Sequence, residues 1–178
     1  MSPPTILAVS PDETMLLSAS AVPPSVLIHD FGYGINRVVD CPLGDTCSPP
    51  VVAAFRQFYH PVYPFGQLLL LGHQDGTLSL YQVGFGSGSS SRHSSILRRH
   101  SSFKPSEQSF LQYGIKAQGA MRTPTKISSI KRLHKGVMGG VAAVDFIPGY
   151  TSRAVSVGHD GRCRLVDFGQ DKGRVLRT

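Results

Sequence analysis

Polar residues suited to chemistry cluster at His73 with Asp75 and at His159 with Asp160. Such a pair can relay protons as general acid and base, or offer nitrogen and oxygen ligands to a divalent metal. Their setting argues for structure instead. Both aspartates precede a glycine, Asp75-Gly76 and Asp160-Gly161, between β-rich runs. Aspartate in such a turn hydrogen-bonds its own backbone two residues on, and glycine supplies the positive φ the turn requires. No G-x-S-x-G, P-loop, H-E-x-x-H or EF-hand pattern accompanies them. Gly84 to Gly88 superficially suggests a phosphate loop but lacks the Gly-Lys-Ser/Thr ending. The three cysteines, Cys41, Cys47 and Cys163, are odd in number and form no C-x-x-C pair, which argues against a disulfide framework and a zinc site. No catalytic residue, metal or cofactor is expected.

The elements that must position these turns repeat. Thr5 to Phe31, Val51 to Val83 and Val141 to Phe168 share one order: a short apolar strand, a proline turn (Pro11, Pro61, Pro148), a second strand, a tight turn and a third strand. The second strands are expected over Met15 to Ser20, Gln67 to Leu71 and Arg153 to Val157. After each Asp-Gly, Thr77 to Tyr81 and Arg162 to Val166 alternate with the period of two that a strand demands. The interval from Asp75 to Tyr81 equals that from Asp160 to Val166. A meander of this kind cannot bury its apolar face alone, so the repeats are expected to stack. Nineteen glycines and thirteen prolines in 178 residues agree with many short strands.

These phrases resemble the WD-repeat family of β-propellers, over about 90 residues in three pieces. The resemblance implies an all-β fold: a partial β-propeller of about three four-stranded antiparallel blades, with a disordered basic insertion. It also implies a structural tetrad in each blade, linking a histidine before the first strand, a Ser/Thr in the second, the hairpin Asp and a Trp. The third repeat supplies His134, Ser156, Asp160 and Gly161, with Val166 at the Trp position followed by Asp167. The second supplies Asp75 and Gly76, with Leu71 at the Ser/Thr position and Tyr81-Gln82 for Trp-Asp. The first ends in His29-Asp30, and its hairpin, Val22-Pro23-Pro24, is one residue longer and has no aspartate. The chain contains no tryptophan.

Outer strands are expected from the links: Ile35 to Asp40, Ile127 to Leu133 and Gly173 to Arg177. The expected organisation is two blades over 1–83, an insert over 84–126 and a third blade over 127–178. Three blades do not close a ring: the chain is a truncated product, or carries further blades too degenerate to read, or completes a ring by self-association of two halves. The insert is rich in Gly and Ser, and residues 84–132 hold nine basic side chains against one acid, Glu107, so the formal charge of +7 belongs to this stretch. Such composition reads as a flexible segment. Arg98-Arg99-His100-Ser101 fits a basophilic kinase pattern and Thr123-Pro124 a proline-directed one. Arg98, Arg99, Lys131 and Arg132 form a candidate basic contact patch. By the resemblance, the function is that of a non-catalytic scaffold for protein partners. The alternative is a nucleic-acid-associated protein using the insert as an electrostatic arm. No apolar run approaches a membrane span and no signal peptide opens the chain, so the expectation is a cytoplasmic or nuclear protein with no membrane contact.

Overall fold

A computed structural model describes residues 3–31, 36–44, 48–58, 66–84, 123–135, 139–150, 152–169 and 173–178. These form three four-stranded sheets, each antiparallel and each in simple sequence order, and the described residues include no helix. Sheet I holds β1 (Ile6–Val9), β2 (Met15–Ala21), β3 (Pro24–Asp30) and β4 (Arg37–Asp40). Sheet II holds β5 (Pro50–Phe58), β6 (Gly66–His73), β7 (Leu78–Val83) and β8 (Thr125–Ile130). Sheet III holds β9 (Val141–Phe146), β10 (Arg153–Gly158), β11 (Cys163–Asp167) and β12 (Arg174–Arg177).

The sheets stack face to face in chain order, with their first strands side by side: β1 meets β5, and β5 meets β9. Two apolar layers result. Between sheets I and II lie Met15, Leu17, Val26, Ile28, Leu69, Leu71, Tyr81 and Val83. Between II and III lie Leu68, Leu70, Leu78, Leu80, Phe146, Ala154, Val166 and Phe168. Sheet II is thus covered on both faces, which is why β6 reads Leu68-Leu69-Leu70-Leu71 without alternation. A strand with one covered face alternates, as β2 and β3 do. Each of these leucines, fully buried, contributes roughly 1.5–3 kcal/mol. The second layer is tight enough that a Cβ on Gly72 would lie 2.7 Å from side-chain atoms of Val141 and Val52.

Most strands fall where the periodicity predicts them, and the departures have local causes. β8 begins at Thr125, within the expected insert, and pairs with β7, so the residues from 127 first complete sheet II before the chain enters sheet III. It ends at Ile130 instead of Leu133, because Lys131 and Arg132 form a turn in which Arg132 takes φ +49°. That turn is held to the β6–β7 hairpin: the Arg132 N–H donates to Oγ1 of Thr77 (3.2 Å) and the His134 N–H to the Gly76 carbonyl (3.2 Å). It thereby drives Leu133 and His134 into the core. In sheet I the extra hairpin residue is absorbed by a two-residue connection, Val22-Pro23, joined by a cis peptide, with Ala21 paired to Pro24. The expected turn at Pro61 and most of the insert lie outside the described residues.

Candidate functional site at the sheet junctions

We call the face of a sheet toward the preceding sheet its near face, and the opposite one its far face. On the near face of sheet III, His134 joins two strands through one ring. Its Nδ1 lies 2.9 Å from Oδ1 of Asp160 in the β10–β11 hairpin, and its Nε2 lies 2.8 Å from Oγ of Ser156 on β10. The carboxylate can only accept, so Nδ1 carries a proton and donates. Partial burial pushes the Asp160 carboxyl up, but the His134 ring, the Arg162 N–H and the Arg164 guanidinium together hold it below its usual range. Gly158 makes room for this ring: a Cβ there would come within 2.1 Å of Nδ1.

Serine, histidine and aspartate are connected here as in a nucleophilic triad, with the imidazole between hydroxyl and carboxylate. Exposure decides what the connection can do. Ser156 is 0% and His134 1% exposed, walled in by the apolar layer between sheets II and III. No acyl group can reach that hydroxyl in the folded chain. The arrangement can instead fasten the incoming loop to strand and hairpin, satisfying three polar groups away from water.

Sheet II uses different residues at the equivalent junction. Its hairpin is built alike, with the His73 N–H donating to Thr77 and the Gly158 N–H to Arg162 at matching positions, so His73 is the counterpart of Gly158. The His73 side chain turns into the junction, and its Nδ1 lies 3.0 Å from the Ser48 carbonyl. Its Nε2 has no partner among the described residues, since Leu71 stands where Ser156 does. Burial holds the His73 imidazole below its ordinary value, although the Ser48 carbonyl and Asp75 work the other way. Asp75 accepts from the backbone and hydroxyl of Thr77, and its own N–H donates to Oγ of Ser48. In sheet I, Ser18 and His29 meet across β2 and β3 at 3.1 Å on the near face, the only such pair of the three near faces that faces solvent among the described residues.

The remaining candidates divide. Asp167 accepts from Oγ of Ser152 (2.8 Å), from the Gly169 N–H (2.8 Å) and from Arg153 (3.4 Å); partial burial opposes these bonds, which still hold its carboxyl low. Asp30 is buried at the end of β3. Gly76 and Gly161 take φ of +80° and +72° in their hairpins. At Gly76 a Cβ would strike the His134 carbonyl, so that glycine seats the loop as well as the turn. Thr123, Lys131 and Arg132 are exposed. Arg98, Arg99 and Ser101 lie outside the described residues.

Sequence reasoning missed the contacts that cross between sheets. Gln67 donates to Oδ2 of Asp12 (2.8 Å), tying the Pro11 turn of sheet I to β6. With Ser10 and Thr14 this overcomes the upward push of burial and holds Asp12 low. Arg56 donates to the Ile147 carbonyl (2.6 Å) while its guanidinium lies 5.9 Å from the Phe146 ring centre, linking sheets II and III. A buried glutamine and a lone arginine in apolar strands were the only signals available. Cys41 is buried beside the first layer, where desolvation pushes its thiol up to about 12 and leaves it inert as a nucleophile. Among the described residues no group of three or more His, Cys, Asp or Glu could hold a metal ion, and no helix is long and apolar enough to cross a membrane.

The chain matches no protein-family model and no curated protein.

Proposed function

We propose that the chain is a non-catalytic scaffold of the WD-repeat type, whose stacked sheets are blades of a β-propeller and whose hairpin rims and insert hold protein partners. One observation carries the reading. The His134–Ser156–Asp160 connection, the constellation with the most chemical potential among the described residues, is shut inside a sheet junction, where it fastens one blade to the next. Three meanders stacked in chain order, first strand beside first strand, also fit this architecture. What such a stack offers to the outside is a set of rims on a rigid frame, the usual arrangement of a binding platform.

The test is capture on the immobilised full chain, with nuclease treatment and a salt series from about 0.15 to 0.5 M. Discrete polypeptides retained after nuclease and through the series are expected. Retention of nucleic acid alone, falling steeply as salt rises, would overturn the reading in favour of an electrostatic arm. Retention of nothing at any salt would also count against it.

A further inference from the structure

The two outer faces of the stack carry apolar side chains at places that are covered inside it. Strand register sets the correspondence. On the near face, Val9 pairs with Leu16, Phe55 with Leu69 and Phe146 with Ala154, so these are equivalent places. Leu7, Ala53 and Val144 are equivalent in the same way, through Ser18, Leu71 and Ser156. In sheets II and III these side chains pack against the neighbouring sheet, whereas in sheet I Leu7 and Val9 are 65% and 58% exposed. The far face of sheet III is the complement. Val155, Val157 and Leu165 occupy the places of Leu70, Gly72 and Leu80 in sheet II and of Leu17, Ala19 and Ile28 in sheet I. Apart from Gly72, those six are buried core side chains, while Val157 is 39% exposed.

Charge at the rims matches as well. In the junction of sheets II and III, outer strand lies over outer strand, with the Gly173 N–H donating to Oγ of Ser128. Asp40 on β4 pairs with Leu27 and so sits on the near face of sheet I. Arg177 pairs with Leu165 and Arg174 with Asp167, which puts both arginines on the far face of sheet III. A far face of sheet III laid on a near face of sheet I brings Arg174 and Arg177 toward the rim that carries Asp40 and sets Val155, Val157 and Leu165 against Leu7 and Val9, with Asp145, which pairs with Val155, also on that far face.

We infer that the occupant of both faces is a second copy of this chain, stacked head to tail. Sheet III of each copy covers sheet I of the other, and two three-sheet halves close one six-bladed ring. The inference rests on the propeller reading and adds the partner for the two outer faces. Each junction would continue the interface the molecule already forms twice, and a two-fold axis relates the two, so the assembly closes instead of growing.

The experiment is light-scattering mass after size exclusion on the full chain, with circular dichroism on each peak. The wild-type chain is expected to be β-rich at twice its 19.2 kDa mass. Val9→Glu and Val157→Glu alter side chains already exposed in the single copy, so each is expected to keep its β-rich spectrum and to lose the dimer. Mixing the two variants is expected to restore the doubled mass. One junction of the mixed pair carries both glutamates, but the other has both wild-type faces. A folded wild-type monomer would overturn the inference, as would dimers persisting in both variants or a mixture that stays monomeric. A ladder of larger masses or a heterogeneous aggregate would overturn closure. The readout is separate from partner capture. A monomer that still retains proteins removes only this inference, and a dimer that retains none removes only the scaffold reading.

Discussion

The junctions before sheet II and before sheet III solve one packing problem with a histidine brought from opposite sides. Before sheet III the imidazole belongs to the loop, as His134, and the hairpin yields space with Gly158. Before sheet II the imidazole belongs to the hairpin, as His73, and among the described residues the loop offers it the Ser48 carbonyl. The loop histidine is bonded at both nitrogens. Among the described residues the hairpin histidine is bonded at one. The junction therefore requires a ring of that size at that place, and which strand supplies it is secondary. Where the ring comes from goes with how polar the rest of the junction is: Ser156 is paired because Nε2 of His134 points at it, whereas Leu71 stands at that place in sheet II and the buried Nε2 of His73 has no partner among the described residues.

The sharpest way to break this comparison is to put both rings into one junction. Gly158→His forces a side chain into the space of the His134 ring and is expected to cost more than about 3 kcal/mol, or to unfold the chain. His134→Ala alone empties the site and strands a buried hydroxyl, for about 3 kcal/mol. If the two solutions are interchangeable, the double variant Gly158→His/His134→Ala should be more stable than Gly158→His alone. Denaturant melts of all four chains measure that coupling. A double variant no better than the sum of the singles would mean that the hairpins are not equivalent.

This equivalence also marks how far the sequence could be read. Period-two alternation, the two Asp-Gly turns and the repeat spacing place β2, β6, β7, β10 and β11 near their observed limits, because backbone geometry at a turn is a local property. Asp160 is legible from its turn, but its link to His134 and Ser156 is implied only by the family resemblance, since 26 residues separate the ring from its carboxylate. The sequence places His73 at a hairpin turn, and its side chain reaches the preceding loop at the junction. Nothing local distinguishes a histidine that bonds its own hairpin from one that reaches the preceding loop. The links Gln67–Asp12 and Arg56–Ile147 were illegible for the same reason. They depend on how sheets stack, and a strand pattern constrains only which face is covered.

Ser156→Ala tests the polar half of the comparison. It removes one buried hydrogen bond and leaves Nε2 of His134 in the state that Nε2 of His73 already has. A loss of about 1–2 kcal/mol in denaturant melts is expected. No measurable loss would mean that the bond between loop and strand contributes nothing beyond the fit of the ring, and that the two junctions are alike in energy as well as in shape.

The hairpin aspartates sharpen it further. Among the described residues the Asp75 carboxylate accepts within its own turn, from the backbone and hydroxyl of Thr77, whereas the Asp160 carboxylate also holds the junction histidine. Asp75→Ala is expected to cost about 1 kcal/mol, in the range of a lost cap or turn bond. Asp160→Ala should lower the melting temperature further than Asp75→Ala does. Equal losses would reduce Asp160 to a turn residue and detach it from His134.

The smallest effect expected is a difference in pH dependence. Burial holds the His73 imidazole below its ordinary value near 6.5, so the folded chain resists the proton that the unfolded chain accepts. Its contribution to stability is complete above that value and declines as pH falls from there toward the lower folded value. The carboxylates of Asp12, Asp160 and Asp167 are depressed from 3.8, so their contributions are lost only at more acid pH, and the two windows separate. Between pH 7.5 and 5 the wild-type melting temperature should therefore fall more than that of His73→Gln, which keeps a polar side chain there and does not titrate. Parallel curves would mean that water reaches the imidazole, and that the first junction is not the dry one.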